Sequence, residues 1–232
     1  MSNRGLASRR QADEFIQKGW VKVDGKIVNQ LGTKVLETAK IELQKEATGI
    51  ISKQYTIAIN KPVGYVSSQP EDNYIPAIRL VRKDSFYSNG KQTYQPLDLS
   101  GLAPVGRLDI DSKGLLLLST DRVFIKKLIG PDSCVEKEYL VRVTGLLTDQ
   151  KLNSLRHGLT LDERELKPAR IDVLAENLLR MVLKEGRKRQ IRRMCQLVEL
   201  NVTELKRVRI GKLALGTLPE GKWQIISPDS VI

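Results

Sequence analysis

Residues 106–121 read GRLDIDSKGLLLLSTD. Leu115–Leu118, bounded by Gly114 and Ser119, is an apolar run of strand length and predicts a short buried strand. Arg107, Asp109 and Asp111 stand directly before it. Such charge beside a core strand has two readings. It is either a solvated turn, or a carboxylate that the core presents for chemistry.

The whole chain narrows the choice. Its 232 residues allow one large or two unequal domains, and 41% hydrophobic with 28% charged residues is ordinary globular composition. No apolar run approaches the ~18 residues of a membrane span, so no membrane association is expected. Cys134 and Cys195 form no C-x-x-C pair, which predicts a cytoplasmic protein without disulfides or a zinc site. His157 is the only histidine, so Ser-His-Asp and Cys-His nucleophile systems and multi-histidine metal sites are excluded. It follows the helical pattern LTDQKLNSLR and precedes Gly158, which reads as a helix C-terminus.

Net charge is +12 and uneven, with 17 basic against 10 acidic residues after position 150. A late concentration of positive charge points to a polyanion, nucleic acid above all.

Patterning divides the chain in two. Ser8 and Gln11 form a capping box for an amphipathic helix ending at Gly19. VKVDGKIV, 21–28, carries a hairpin turn at Asp24-Gly25, and KIEL, 40–43, adds a strand. Arg4, Arg9, Arg10, Lys18, Lys22 and Lys26 gather around this small unit, and residues 44–54 read as a linker. Beyond it, YTIAINKPVGYVS predicts a strand running into a turn. Residues 69–104 hold Pro70, Pro76, Pro96, Pro104 and Asn89-Gly90 and read as irregular. TDRVFIKKLIGP is a helix, YLVRV an alternating strand, and ARIDVL with NLLRMVL two strands about Ala175–Glu176. ELKRVRIG and WQII supply late strands. Helices and strands mix without strict alternation, so the fold class is α+β with a mixed sheet.

KEGRKRQIRR, 184–193, holds six basic residues and one acid. Ile191, Met194, Cys195 and Val198 form one core-facing stripe of the following helix. Arg189 and Arg193 fall on the opposite face, suited to phosphate, and Lys188 is solvated. At ~100° per residue Arg192 sits beside the stripe, able to reach a buried acid. Cys195 reads as a core filler.

Asp109 and Asp111 leave several chemistries open. D-x-D can bind a metal for glycosyl or phosphoryl transfer, but Lys113 stands where D-x-D-x-T phosphatases need threonine. A paired-carboxylate glycosidase needs one raised pKa, which the adjacent charges disfavour. A lone carboxylate, kept ionised by an arginine that lowers its pKa by ~1–3 units, would attack an electrophilic sugar or base carbon. Arg192 is the expected partner.

GRLDIDSKGLLLL, KEYLV and GRKRQIRRM, in that order, resemble three signature segments of the RsuA-type bacterial ribosomal RNA pseudouridine synthases. INKPVGYVS fits their early catalytic segment, and ASRRQADEFIQKGWVKVDGKIV resembles the S4 RNA-binding domain that many of them carry. The resemblance covers nearly the whole chain. It implies a small N-terminal S4-like α/β domain (1–48) and a catalytic domain (53–232) with a mixed, largely antiparallel sheet crossed by a central cleft. The family's S4 domain usually starts with an additional helix, for which only Met1–Arg4 remain here, so that helix is expected to be missing. The expected activity is cofactor-free and metal-free isomerisation of uridine in ribosomal RNA, the large subunit favoured, by a monomer.

Carried over residue by residue, the resemblance makes Asp109 the catalytic aspartate and Arg107 the residue that holds the target nucleotide out of the helix. Tyr139 stacks on the target base, Ile191 lines the pocket, and Arg192 pairs with Asp109. Asp111 and Ser112 are structural. Arg9, Arg10, Lys18, Lys188, Arg189 and Arg193 are the expected RNA contacts. The alternative is a non-catalytic S4-type ribosome-assembly or translation factor, for which Asp109 would be dispensable.

Overall fold

The computed structural model describes residues 1–68, 73–88, 90, 93–131 and 133–232. Pro70 and Asn89, cited above as loop signals, lie outside the described residues.

The N-terminal unit follows its local signals. Ser8 caps helix α1 (Arg9–Gln17), its hydroxyl accepting from Gln11 N while the Gln11 side chain accepts from Ser8 N. Strands β1 (Val21–Val23) and β2 (Lys26–Ile27) meet at Asp24 and Gly25, both at positive φ, and β3 (Ile41–Leu43) pairs with β1. Residues 44–54, expected as a linker, instead carry helix α2 (Lys45–Ser52). Ala47 and Ile51, one turn apart, pack with Ala12, Phe15 and Val21, so burial decides a segment that Gly49 and an uncapped start make weak in isolation.

The larger unit is built on a sheet. In chain order its strands are β4 (Thr56–Lys61), the short β5 (Tyr65–Val66), β6 (Ile75–Pro76) and β7 (Ala103–Pro104), then β8 (Lys113–Ser119) and β9 (Lys137–Thr144). There follow a small hairpin of β10 (Thr160–Leu161) and β11 (Arg164–Glu165), the hairpin of β12 (Arg170–Ala175) and β13 (Leu178–Leu183), the long β14 (Asn201–Ile210), β15 (Leu213–Ala214) and β16 (Trp223–Ile226). The main sheet runs β12-β13-β9-β14-β8-β4-β16, and only its β14–β8 pairing is parallel. It is mixed and largely antiparallel, as expected.

Helix α3 (Arg122–Ile129), capped by Asp121, covers one face, where Phe124 and Leu128 meet Leu115 and Leu117. Helices α4 (Asp149–Arg156) and α5 (Gln190–Leu197) cover the other, where Leu152, Leu155, Ile191 and Met194 join Leu116 and Leu118. The leucine run is apolar at every position because β8 is covered on both faces. At ~1.5–3 kcal/mol per buried side chain, these four residues anchor the centre of the fold. His157 caps α4 in an extended conformation. Within the stretch expected to be irregular, short pieces of strand and 3₁₀ turn form at residues 75–80, 83–85 and 103–104, and Phe86 packs edge to face on Trp223 at 4.9 Å while Trp223 Nε1 donates to Arg82 O.

Candidate active site

The turn before β8 owes its shape to backbone bonding. Arg107 O accepts from Arg207 Nη1 at 3.1 Å and Leu108 O from Ser67 Oγ at 2.7 Å. Asp109 O accepts from Ser112 N at 3.1 Å and Ile110 O from Gly64 N at 2.9 Å. Asp111 O accepts from Arg192 Nη2 at 2.8 Å. Five consecutive carbonyls are therefore held, four of them by partners drawn from three other parts of the chain and one by the turn's own Ser112. A solvated turn leaves such groups to water. This one is fixed, and it presents a carboxylate.

That carboxylate is Asp109, one-third exposed and lining a cavity of about 830 Å³. Arg107 is exposed at the mouth. Tyr139 on β9 and Ile191 on α5 form apolar wall, each under a tenth exposed. Arg192, Lys188 and Arg189 complete the predicted residues brought together here. The volume falls in the ~300–1,000 Å³ range of small-ligand sites, enough for one nucleotide. Among the described residues, nine cations line it against two carboxylates, Asp109 and Glu185.

The arginines are arranged differently from expectation. Arg192 does turn inward, but its Nε lies 3.2 Å from Asp111 Oδ2, and its Nη atoms hold the carbonyls of Asp111 and Val202. The cation nearest Asp109 is Arg189, 4.0 Å away, which also grips Asp111 with two bonds of 3.1 and 2.9 Å. Arg189 is not on the helix at all. It caps α5 in the left-handed conformation (φ 52°), which swings it from the outward face toward the aspartates. Burial opposes the charge of Asp111, but hydrogen bonding by Arg189 and the charges of Arg192 and Arg189 outweigh it and hold its carboxyl below the usual range.

Arg193 stays outside the cavity lining and pairs with Asp162 through two bonds, so any phosphate it meets must compete with that carboxylate. Arg9, Arg10 and Lys18 are exposed on α1 and its cap, with Lys18 bonded to Glu14 and lying 4.7 Å from the Trp20 ring centroid. Cys195 is a filler as expected, its thiol pushed up to about 12 by burial.

Arg192→Ala should lower activity at least tenfold more than Arg193→Ala and cost a further ~1–3 kcal/mol of stability, because it leaves two part-buried carbonyls without their donor. The Arg193–Asp162 pair is exposed and screened by solvent, so its loss should cost little. Rates and melting curves of the two variants check this, and equal mild losses would show that the turn does not depend on Arg192.

Three residues of the site were not singled out. Lys61 ends β4 fully buried, bonded to Pro62 O and Tyr65 O. Burial pushes its pKa down to about 8 against the pull of Asp111 and Asp109. Arg207, 1% exposed, fastens the turn to β8 by donating to both Arg107 O and Leu115 O. Strand alternation carried the signal, since Arg207 falls two residues after the buried Leu205. Arg187 holds the β10–β11 hairpin through the carbonyls of Leu161, Arg164 and Glu165.

Residues 55–197 match the family described as RNA pseudouridylate synthase, and residues 1–41 match the S4 domain. The chain is 33% identical to ribosomal large subunit pseudouridine synthase B of Bacillus subtilis (strain 168), covering all of this chain and 91% of that protein. It is 32% identical to the dual-specificity RNA pseudouridine synthase RluF of Salmonella typhi, again over its whole length and 75% of the relative. A solved structure titled as the crystal structure of pseudouridylate synthase superposes with a TM-score of 0.67 at 25% identity, over 97% of this chain and 94% of that one.

Proposed function

The chain belongs to the RNA pseudouridylate synthase family and carries an S4 domain, and from this we infer that it isomerises uridine to pseudouridine in ribosomal RNA. We propose the large subunit as substrate, in keeping with the Bacillus relative's name. The observation that carries the chemical reading is the turn of five held carbonyls that presents Asp109 to a nucleotide-sized cleft.

Asp109 acts as nucleophile or base toward the ribose of the extruded uridine. The N1–C1′ bond breaks, the uracil turns, and C5 bonds to C1′ while its proton leaves. No atom is gained or lost overall, so the chain needs no cofactor. Extrusion costs a few kcal/mol. Stacking on Tyr139 returns ~1–3 kcal/mol, so net affinity must come from the backbone contacts of Arg107, Lys188, Arg189 and the S4 unit. Arg192, in this reading, supports Asp109 through Asp111. The cleft is lined by one chain, in keeping with a monomer. Residues 1–48 bind and residues 53–232 catalyse.

Affinity for RNA should fall steeply with salt, by ~0.7–0.9 log units per phosphate contact for each tenfold increase. Arg9→Ala with Arg10→Ala should weaken binding and flatten that slope by ~1–2, leaving the single-turnover rate at saturation unchanged. Filter binding across a salt series measures both. The activity itself is tested by incubating the protein with unmodified large- and small-subunit ribosomal RNA and mapping pseudouridine. A new pseudouridine in the large-subunit RNA is the expected result, and none in either would refute the reading.

A further inference from the structure

Two buried cations lie under the cleft, and one of them, Arg207, also holds the turn before β8. Lys137 is 9% exposed and Arg207 is 1% exposed, and both line the cavity. Among the described residues, their hydrogen bonds go only to backbone carbonyls. Lys137 Nζ donates to Val135 O at 3.1 Å, and Arg207 donates to Leu115 O and Arg107 O. Arg207 Nη2 is buried without a partner. Charges taken from water with no opposing charge are costly to keep, and cores rarely hold them. Burial, and then the charges of Arg207 and Lys167, lower the pKa of Lys137, as expected of a cation placed among cations.

Their placement relative to Tyr139 is specific. Arg207 of β14 lies directly opposite Tyr139 of β9 in register, so the two side chains share a face of the sheet. Lys137 precedes Tyr139 by two residues and shares that face as well. A ring lying against Tyr139 therefore has both cations at its edge. RNA phosphates are less suited to this floor, because each is tied to the chain on both sides and meets exposed cations at the mouth first.

We propose that Lys137 and Arg207 form an anion-stabilising floor for the uracil at the moment it detaches. The proposal rests on the isomerase reading above. When N1–C1′ breaks, the bonding pair leaves with N1, and negative charge spreads over N1, O2 and O4. Lys137 and Arg207 donate hydrogen bonds to that charge and transfer no proton. C1′ is meanwhile either esterified by Asp109 or converted to a glycal by loss of its C2′ proton to Asp109. C5 then bonds C1′, either displacing the Asp109 carboxylate from its ester or as Asp109 returns the proton to C2′ of the glycal. The C5 proton departs, N1 regains a proton, and the floor returns to its unpaired state. Donors placed where charge develops contribute most in a site closed to water.

Lys137→Met in the full-length protein is the test, measured by tritium release from [5-³H]uridine RNA under single-turnover conditions. Loss of one such donor should slow the rate about a hundredfold to a thousandfold. RNA affinity and its salt slope should stay within threefold and unchanged, and the melting temperature should hold or rise, because an unpaired buried charge has been removed. RNA carrying 5-fluorouridine, whose uracil leaves more readily as an anion, should show a smaller defect in substrate consumption. Arg207→Lys, which keeps the charge, should be less impaired than Arg207→Met. An unchanged rate would overturn the proposal. So would weakened affinity with a salt slope lower by about one and a normal saturating rate, which marks a phosphate contact, or a lowered melting temperature with a normal rate. If the wild-type protein releases no tritium, the isomerase reading fails, whatever Lys137 does.

Discussion

Asp109→Asn should abolish pseudouridine formation, slowing the single-turnover rate at least about a thousandfold, with RNA affinity unchanged or slightly tighter. Asparagine matches aspartate in shape but supplies neither a nucleophilic oxygen nor a base, and positioned acid–base groups account for ~10²–10⁴ in rate. The fold should persist, because the turn is held through its backbone by Arg207, Ser67, Ser112, Gly64 and Arg192, not through the Asp109 side chain. Removing a negative charge from a cleft lined by nine cations lessens its repulsion of phosphate, so any shift in affinity should be toward tighter binding. Rate and affinity measured on the same preparation decide the matter. A variant that loses affinity and rate together would assign Asp109 to binding.

Gly114→Ala should be strongly destabilising. Gly114, the second residue of β8, has φ +105°, and a Cβ there would lie 2.2 Å from Arg207 O and 2.8 Å from Arg207 N, where the parallel strands β8 and β14 meet. Backbone cannot yield as a flexible side chain does. Overpacking at ~1–3 kcal/mol and an unfavourable backbone conformation at a similar cost add to about 2–6 kcal/mol. At ~2–4 °C per kcal/mol for a chain of this size, the melting temperature should fall by about 10 °C. Activity should fall too, since displaced β14 carries Arg207 away from the turn that presents Asp109. Gly49→Ala is the control. A Cβ there meets nothing within 4 Å inside α2, so that variant should be neutral or stabilised by ~0.5–1 kcal/mol. Melting within 2 °C of wild type for Gly114→Ala would mean that the two strands can separate at little cost.

Local signals carried much of the fold. The Ser8–Gln11 capping box, the Asp24-Gly25 turn, the four leucines and the Ile191–Met194–Cys195 stripe each state their structure within a few residues. Helix α2 was not legible, because Ala47 and Ile51 find their partners on α1 and β1, and nothing in the segment announces a cap.

The site was legible as a set of residues more than as a set of contacts. Ordered motifs brought Asp109, Arg107, Tyr139, Ile191, Arg192 and Arg189 to one cleft. The pairing of arginine with aspartate was misread because a helical wheel assumes that its residues are helical. Arg189 is left-handed, so it reaches the aspartates from before the first turn, while Arg192 meets Asp111. Four of the five held carbonyls depend on residues 64, 67, 192 and 207, brought to the turn by the segment after β4, by α5 and by β14, and spacing within one segment cannot report such contacts.

Pseudouridine mapping in ribosomal RNA from cells lacking this gene, complemented with wild type or Asp109→Asn, tests the main claim most directly. A large-subunit pseudouridine lost on deletion should return with wild type and stay absent with the variant. Its full return with Asp109→Asn would contradict the catalytic role of this carboxylate.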